Sequence, residues 1–121
     1  MKKKILVADD SASMRQLVSF TLTGAGYAVI SASDGSEALS LARSVDFDMV
    51  VTDLNMPKLD GVGLVKSIRQ MEKLRHTPVV MLTTENREGL RKESSEAGAS
   101  EWLTKPFTPD TLLSTIRKFI G

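Results

Sequence analysis

The chain has 121 residues, 16 Lys and Arg against 15 Asp and Glu, a formal charge of +1, and 41% hydrophobic residues. That is one domain's worth, long enough to bury a core without cross-links. No cysteine and one histidine (His76) rule out disulfides, thiolate metal sites and histidine-rich centres, while balanced charge and 5% aromatics argue against a nucleic-acid surface.

The basic start Met1-Lys2-Lys3-Lys4 precedes only Ile5-Leu6-Val7-Ala8, too short for a signal-peptide core. No apolar run approaches the ~18–20 residues of a membrane span. The expectation is a soluble cytoplasmic protein forming one domain over 1–121, with no linker, repeat or effector domain.

In chain order, Lys4 to Ala8 reads as a first strand. Met14, Leu17, Val18, Thr21, Leu22 and Ala25 then recur at helical spacing and stop at Gly24 to Gly26. Ala28 to Ala32 is a second strand, and Asp34-Gly35-Ser36-Glu37 reads as a capping box for a helix through Ala38, Leu39, Leu41 and Ala42. A third strand spans Met49 to Thr52, followed by a loop over Pro57 to Gly61 and a helix marked by Leu64, Val65, Ile68 and Met71. Pro78 to Leu82 forms a fourth strand. The fourth helix, Arg87 to Ala97, has only Leu90 and Ala97 as apolar anchors among charged residues, so packing holds it weakly. Trp102 to Thr104 is the fifth strand, and Leu112, Leu113, Ile116, Phe119 and Ile120 mark the last helix.

Strands one, three and four are continuously apolar, as central parallel strands covered on both faces are. Alternation of five strands with five helices implies an α/β domain with a parallel sheet and right-handed crossovers. In such sheets sites form beyond the carboxyl ends of the strands. There the chain places Asp9 and Asp10 after the first strand, Asp53 after the third, Thr83 and Thr84 at the fourth, and Lys105 before Pro106 at the fifth. A lone strand-end Asp commonly caps the next helix, and a lone lysine is a surface charge. Capping explains neither the adjacent Asp9-Asp10 pair nor the lysine. Three carboxylates and one ammonium sum to about −2, which a divalent hard cation such as Mg²⁺ neutralises. Beside such a metal a carboxylate can attack phosphorus, with Lys105 and the Thr83 hydroxyl binding phosphoryl oxygens.

Val7-Ala8-Asp9-Asp10, Asp53-Leu54-Asn55-Met56-Pro57 with Asp60-Gly61, Thr83 and Lys105-Pro106-Phe107 together resemble the CheY-like response regulator receiver domains of two-component signalling. The likeness runs along essentially the whole chain. It implies a flavodoxin-like (βα)5 fold with strand order 2-1-3-4-5 and helices on both faces; that order comes with the family, not from periodicity. By resemblance Asp53 is the phosphoacceptor, receiving its group from a histidine kinase. Asp9, Asp10, Asp53 and the Asn55 carbonyl hold Mg²⁺, and Thr83 and Lys105 contact the phosphoryl group. Asn55 and Glu85 tune hydrolysis, and Lys105-Pro106 is a cis peptide. Trp102 takes the aromatic switch position, where the family usually has Tyr or Phe, and Thr84 is bulkier than usual. The resemblance further implies a monomer that works without nucleic acid or membrane insertion. It is not a turnover enzyme, and its output is chemotaxis-type control of a protein partner. The output surface is the fourth helix, fifth strand and last helix. The Trp102 ring is expected to move from solvent into space that Thr83 vacates, burying area worth about 1–2 kcal/mol.

Two enzyme-like alternatives fit less well. A haloacid-dehalogenase-type phosphatase wants Asp-x-Asp after its first strand, whereas Asp9 and Asp10 are adjacent. A flavodoxin-like FMN protein wants a Ser/Thr/Gly phosphate loop there, and neither G-x-G-x-x-G nor a Walker lysine motif occurs. A docking module that never uses its phosphorylation site remains a third reading. Lys2 to Lys4 reads as a solvated tail, and His76 as a loop residue without a role.

Overall fold

A computed structural model describes residues 2–84 and 87–121. The strands are β1 (Lys4–Ala8), β2 (Ala28–Ala32), β3 (Met49–Asp53), β4 (Val79–Thr83) and β5 (Glu101–Thr104). The helices are α1 (Ala12–Gly24), α2 (Gly35–Ser44), α3 (Gly61–Arg69), α4 (Glu88–Ala97) and α5 (Pro109–Ile120), with a 3₁₀ turn at Glu72–Leu74. All strand pairs are parallel, in the order β2-β1-β3-β4-β5.

The two-residue period of the strands divides the core into two layers. Leu6, Ala8, Val50 and Met81 face Ala38 and Ala42 of α2 and Val62, Leu64, Val65 and Ile68 of α3. Ile5, Val7, Met49, Val51, Val80 and Leu82 face Val18 and Leu22 of α1 and Leu112 and Ile116 of α5. Every residue of β3 and β4 is buried, which is why both read as unbroken apolar runs. Each aliphatic side chain so buried contributes about 1.5–3 kcal/mol of transfer free energy.

Side chains start four helices where the chain enters them. Ser11 accepts from Met14 N–H, Asp34 from Glu37 N–H, Asp60 from Gly63 N–H and Thr108 from Thr111 N–H. The expected capping box is half formed: Glu37 Oε1 accepts from Ser33 N–H at 2.6 Å, not from Asp34. The third helix ends at Arg69, and Met71 leads into the 3₁₀ turn that periodicity did not indicate.

α4 has Arg87 at its N-cap, with no side-chain capping bond, and buries only Ser94; Leu90 and Ala97 pack partly against the core. Its far end is pinned. Gly98 adopts φ +117°, a left-handed conformation favouring glycine. The Arg69 guanidinium donates to Gly98 O at 3.2 and 2.7 Å and to the Leu74, Arg75 and Thr77 carbonyls at 2.9, 3.1 and 2.7 Å. Among the described residues, no helix is long and apolar enough to cross a membrane.

Candidate functional site

The order β2-β1-β3-β4-β5 reverses direction between β1 and β3, and in such sheets the crevice beyond the carboxyl ends at that point is where ligands bind. Asp9 follows β1 and is 2% exposed; Asp53 is the last residue of β3 and 9% exposed. Asp10 beside them is exposed. The three carboxylates each offer an oxygen within 4.8 Å of the others. Neither Asp9 nor Asp53 is a helix cap, since Ser11 caps α1 and Asp60 caps α3. The strand-end acids are therefore left for the site.

Lys105 arrives from the end of β5. Its N–H donates to Thr83 O at 2.8 Å, and Lys105-Pro106 is cis, as the resemblance implied. Lys105 Nζ donates to Asp9 Oδ2 at 2.9 Å and lies 3.6 Å from Asp53 Oδ1. Thr83 ends β4, fully buried, and pairs in register with Thr104. Asn55 is exposed in the loop after β3, two residues beyond Asp53. The tuning role given to Glu85 lies outside the described residues.

Backbone groups hold the two buried acids. Asp9 Oδ1 accepts from Ser11 N–H at 2.9 Å, and Arg15 Nη1 donates to Asp9 O at 2.7 Å. Asp53 Oδ1 accepts from Leu54 N–H at 2.8 Å. Burial pushes the Asp53 carboxyl above its ordinary value near 3.8; Lys105 and the Leu54 N–H pull it down, while Asp9 and Asp10 push it up. Burial is the main cause, and the neighbouring acids add to it.

The donor set fits Mg²⁺. Hard carboxylate oxygens converge, Asp10 and the crevice mouth face water, and Mg²⁺ takes one or two carboxylates while keeping several waters. One lysine leaves the charge short of neutral.

Gly61, which the sequence reading placed in the loop and, with Asp60, in the motif that carries the resemblance, is a further site residue to which no role was given. A Cβ there would lie 2.4 Å from Asp53 O and 2.9 Å from Leu54 Cα, so only glycine lets α3 start this close to the acceptor. Ser11 and Arg15 were also missed, because contacts to a backbone or from one leave no pattern in residue types.

Trp102 corrects an expectation. It is already 8% exposed, packed in the layer with Leu74 and Met81. A solvent-to-core rotation therefore has little area left to bury, and the 1–2 kcal/mol assigned to it is not available.

The family profile described as "Response regulator receiver domain" matches residues 5–117. The chain is 41% identical over 116 residues to the chemotaxis protein CheY-3 of Vibrio cholerae, covering 95% of this chain and 89% of that one. The structure of the chemotaxis response regulator CheY4 of Vibrio cholerae superposes with a TM-score of 0.95 at 44% identity, covering 99% of this chain and all of that one. The receiver domain of the sensor histidine kinase PA1611 of Pseudomonas aeruginosa, solved with a magnesium ion coordinated in its active-site cleft, gives 0.92 at 29% identity, over 100% and 99% of the two chains. The chain spans about half the length of other curated relatives, which are named as transcriptional regulators.

Proposed function

The chain belongs to the response regulator receiver domain family, and from that premise we propose that it is a phosphorylation-operated signalling switch with Asp53 as acceptor. The observation that carries this reading is the placement of Asp53: at the end of a central strand, buried, beside a lysine, and within one carboxylate cluster with Asp9 and Asp10.

Asp53 Oδ1 is engaged by Leu54 N–H and faces Lys105, which leaves Oδ2 as the nucleophile. Oδ2 forms the new O–P bond as the N–P bond of a kinase phosphohistidine breaks, and the imidazole leaves with a proton. Lys105, freed from Asp53, pairs with one phosphoryl oxygen, and the Thr83 hydroxyl bonds another. Asp9, Asp10, Asp53 and the Asn55 carbonyl are the residues that would hold Mg²⁺. Bound there, Mg²⁺ supplies charge neutralisation for the transferring phosphoryl group. Hydrolysis later returns free Asp53 and phosphate, so the chain turns over no external substrate.

Movement of Thr83 is read by the face formed by α4, β5 and α5. Thr83 closes β4, and two residues earlier Met81 pairs in register with Trp102 of β5. Trp102 responds through changed neighbours, not through added burial. The weakly anchored N-terminal part of α4 is the element most easily displaced. Similarity to chemotaxis proteins over nearly their whole length supports a chemotaxis-type output through a protein partner.

Incubation with acetyl phosphate and Mg²⁺, followed by peptide mapping, tests the assignment. One phosphoryl group on Asp53, abolished by EDTA and by Asp53→Asn, is expected. Undiminished labelling of Asp53→Asn refutes it.

A further inference from the structure

Lys58 is the only non-glycine residue among the described ones with a left-handed backbone, at φ 71°. Leu59 N–H donates to Pro57 O at 2.8 Å across it, closing a three-residue turn of the rare, strained kind. Strain of this sort persists only where the surroundings over-determine it, and it gathers at functional sites. Lys58 stands three residues after Asn55, in the loop that joins Asp53 to α3.

The start of α2 holds that turn. A Cβ on Gly35 would lie 1.8 Å from Leu59 O and 2.7 Å from Leu59 C, so the Leu59 peptide rests directly on the backbone of α2. Asp34 divides its carboxylate. Oδ1 accepts from Glu37 N–H at 2.8 Å and caps α2, while Oδ2 lies 3.7 Å from Lys58 Nζ. Capping uses one oxygen and does not account for the second. At the far end of the loop Gly61 N–H donates to Leu54 O at 2.7 Å. Segment 54–61 is thus closed on itself beside Asp53 and clamped from outside at Lys58 and Leu59, which leaves Asn55 few ways to turn its carbonyl.

We propose that Lys58 is a positioning residue: held in its strained turn by Asp34 and Gly35, it fixes the loop that presents the Asn55 carbonyl to Mg²⁺. The inference rests on the reading of Asp9, Asp10, Asp53 and the Asn55 carbonyl as the metal site. It adds to that site the turn between β2 and α2, which supplies no ligand. The Lys58 side chain is 69% exposed and that of Asp34 16%, and an exposed pair is worth up to about fivefold in an equilibrium.

Lys58→Gly tests the proposal. Glycine adopts positive φ without strain and so keeps the fold, while the pair with Asp34 and the stiffness of the turn are both lost. Mg²⁺ alone is titrated into the ¹⁵N-labelled chain, and saturable amide shifts at residues 9, 10 and 53–56 give Kd. The Met56 amide nitrogen is bonded to the Asn55 carbonyl carbon and reports on that ligand. In Lys58→Gly, Mg²⁺ should bind about threefold to fivefold more weakly, with a smaller Met56 shift at saturation and an otherwise unchanged amide spectrum. Charge alone predicts the opposite sign, since removing a lysine favours a cation. Lys58→Arg keeps the pair and the strained turn, and should restore the parent's affinity. Binding in Lys58→Gly as tight as the parent's or tighter overturns the proposal, as does a Lys58→Arg chain as weak as Lys58→Gly. A parent chain without saturable shifts at residues 9, 10 and 53 refutes the metal reading and the proposal with it, so the parent titration separates the two failures.

Discussion

Among the described residues, Lys105 is the cation paired with the carboxylates of the two buried acids, and Lys105→Met removes it while keeping the length of the side chain. Lys105 Nζ lies 2.9 Å from Asp9 Oδ2 and 3.6 Å from Asp53 Oδ1, and the three side chains are 11%, 3% and 12% exposed. Removing one partner of a buried pair costs about 3–5 kcal/mol, because the other charge is stranded. Exposed Asp10 admits water to one side of the cluster, which places the expected loss near the lower end, about 3 kcal/mol. In a domain of this size each kcal/mol is worth about 4 °C, so Tm in EDTA should fall by about 12 °C. Mg²⁺ should bind the variant more tightly than the parent, since three carboxylates now lack their ammonium. At a Mg²⁺ concentration about 100 times its Kd the variant gains about 2.7 kcal/mol, and the gap to the parent narrows by the excess of that gain over the parent's. Lowering the pH should also narrow the gap, because protonation removes the repulsion that the lysine offset. Thermal unfolding followed by circular dichroism in EDTA and in Mg²⁺ decides the matter. A variant as stable as the parent in EDTA, or one that gains no more from Mg²⁺ than the parent does, refutes the reasoning.

Asp53→Asn should stabilise the metal-free protein at neutral pH. The folded-state pKa of Asp53 is raised above 3.8, so the ionised carboxylate costs stability that is lost as pH rises through that window; urea unfolding in EDTA should show the advantage of the variant closing as pH falls toward 3.8. Gly61→Ala forces a Cβ against the backbone of Asp53 and Leu54 and should cost about 1–3 kcal/mol, with amide shifts at 53–54 and slower labelling by acetyl phosphate. Arg69→Lys loses the fork that serves Gly98, Leu74, Arg75 and Thr77 and should cost about 2–4 kcal/mol. Hydrogen exchange should then quicken at the C-terminal end of α4 before it does so in β3.

Strand and helix order were legible because apolar runs and turn residues agree along the chain, and the errors at the edges have physical causes. β3 and β4 each run one residue further than apolar character suggested, to Asp53 and Thr83. Polar residues at the carboxyl edge still complete the ladder while serving the crevice. The five residues at strand ends were legible as a constellation, and the structure does bring Asp9, Asp10, Asp53 and Lys105 together. The position of Trp102 was not legible. Aromatic character alone does not say whether a ring lies in or out. Arg69 and Ser94 were equally silent, since a guanidinium spent on carbonyls and a buried serine leave no periodic trace.

The central claim is that filling the acceptor site at Asp53 resets the face formed by α4, β5 and α5. Amide and indole NMR shifts on adding beryllofluoride with Mg²⁺ test it most directly, with Thr83→Ala as the variant that breaks the link. The expected result is a set of shifts around Asp53 together with a second set over 87–107 that includes the Trp102 indole, the second set much reduced in Thr83→Ala. Shifts confined to the surroundings of Asp53, with α4 and Trp102 unmoved, would contradict it.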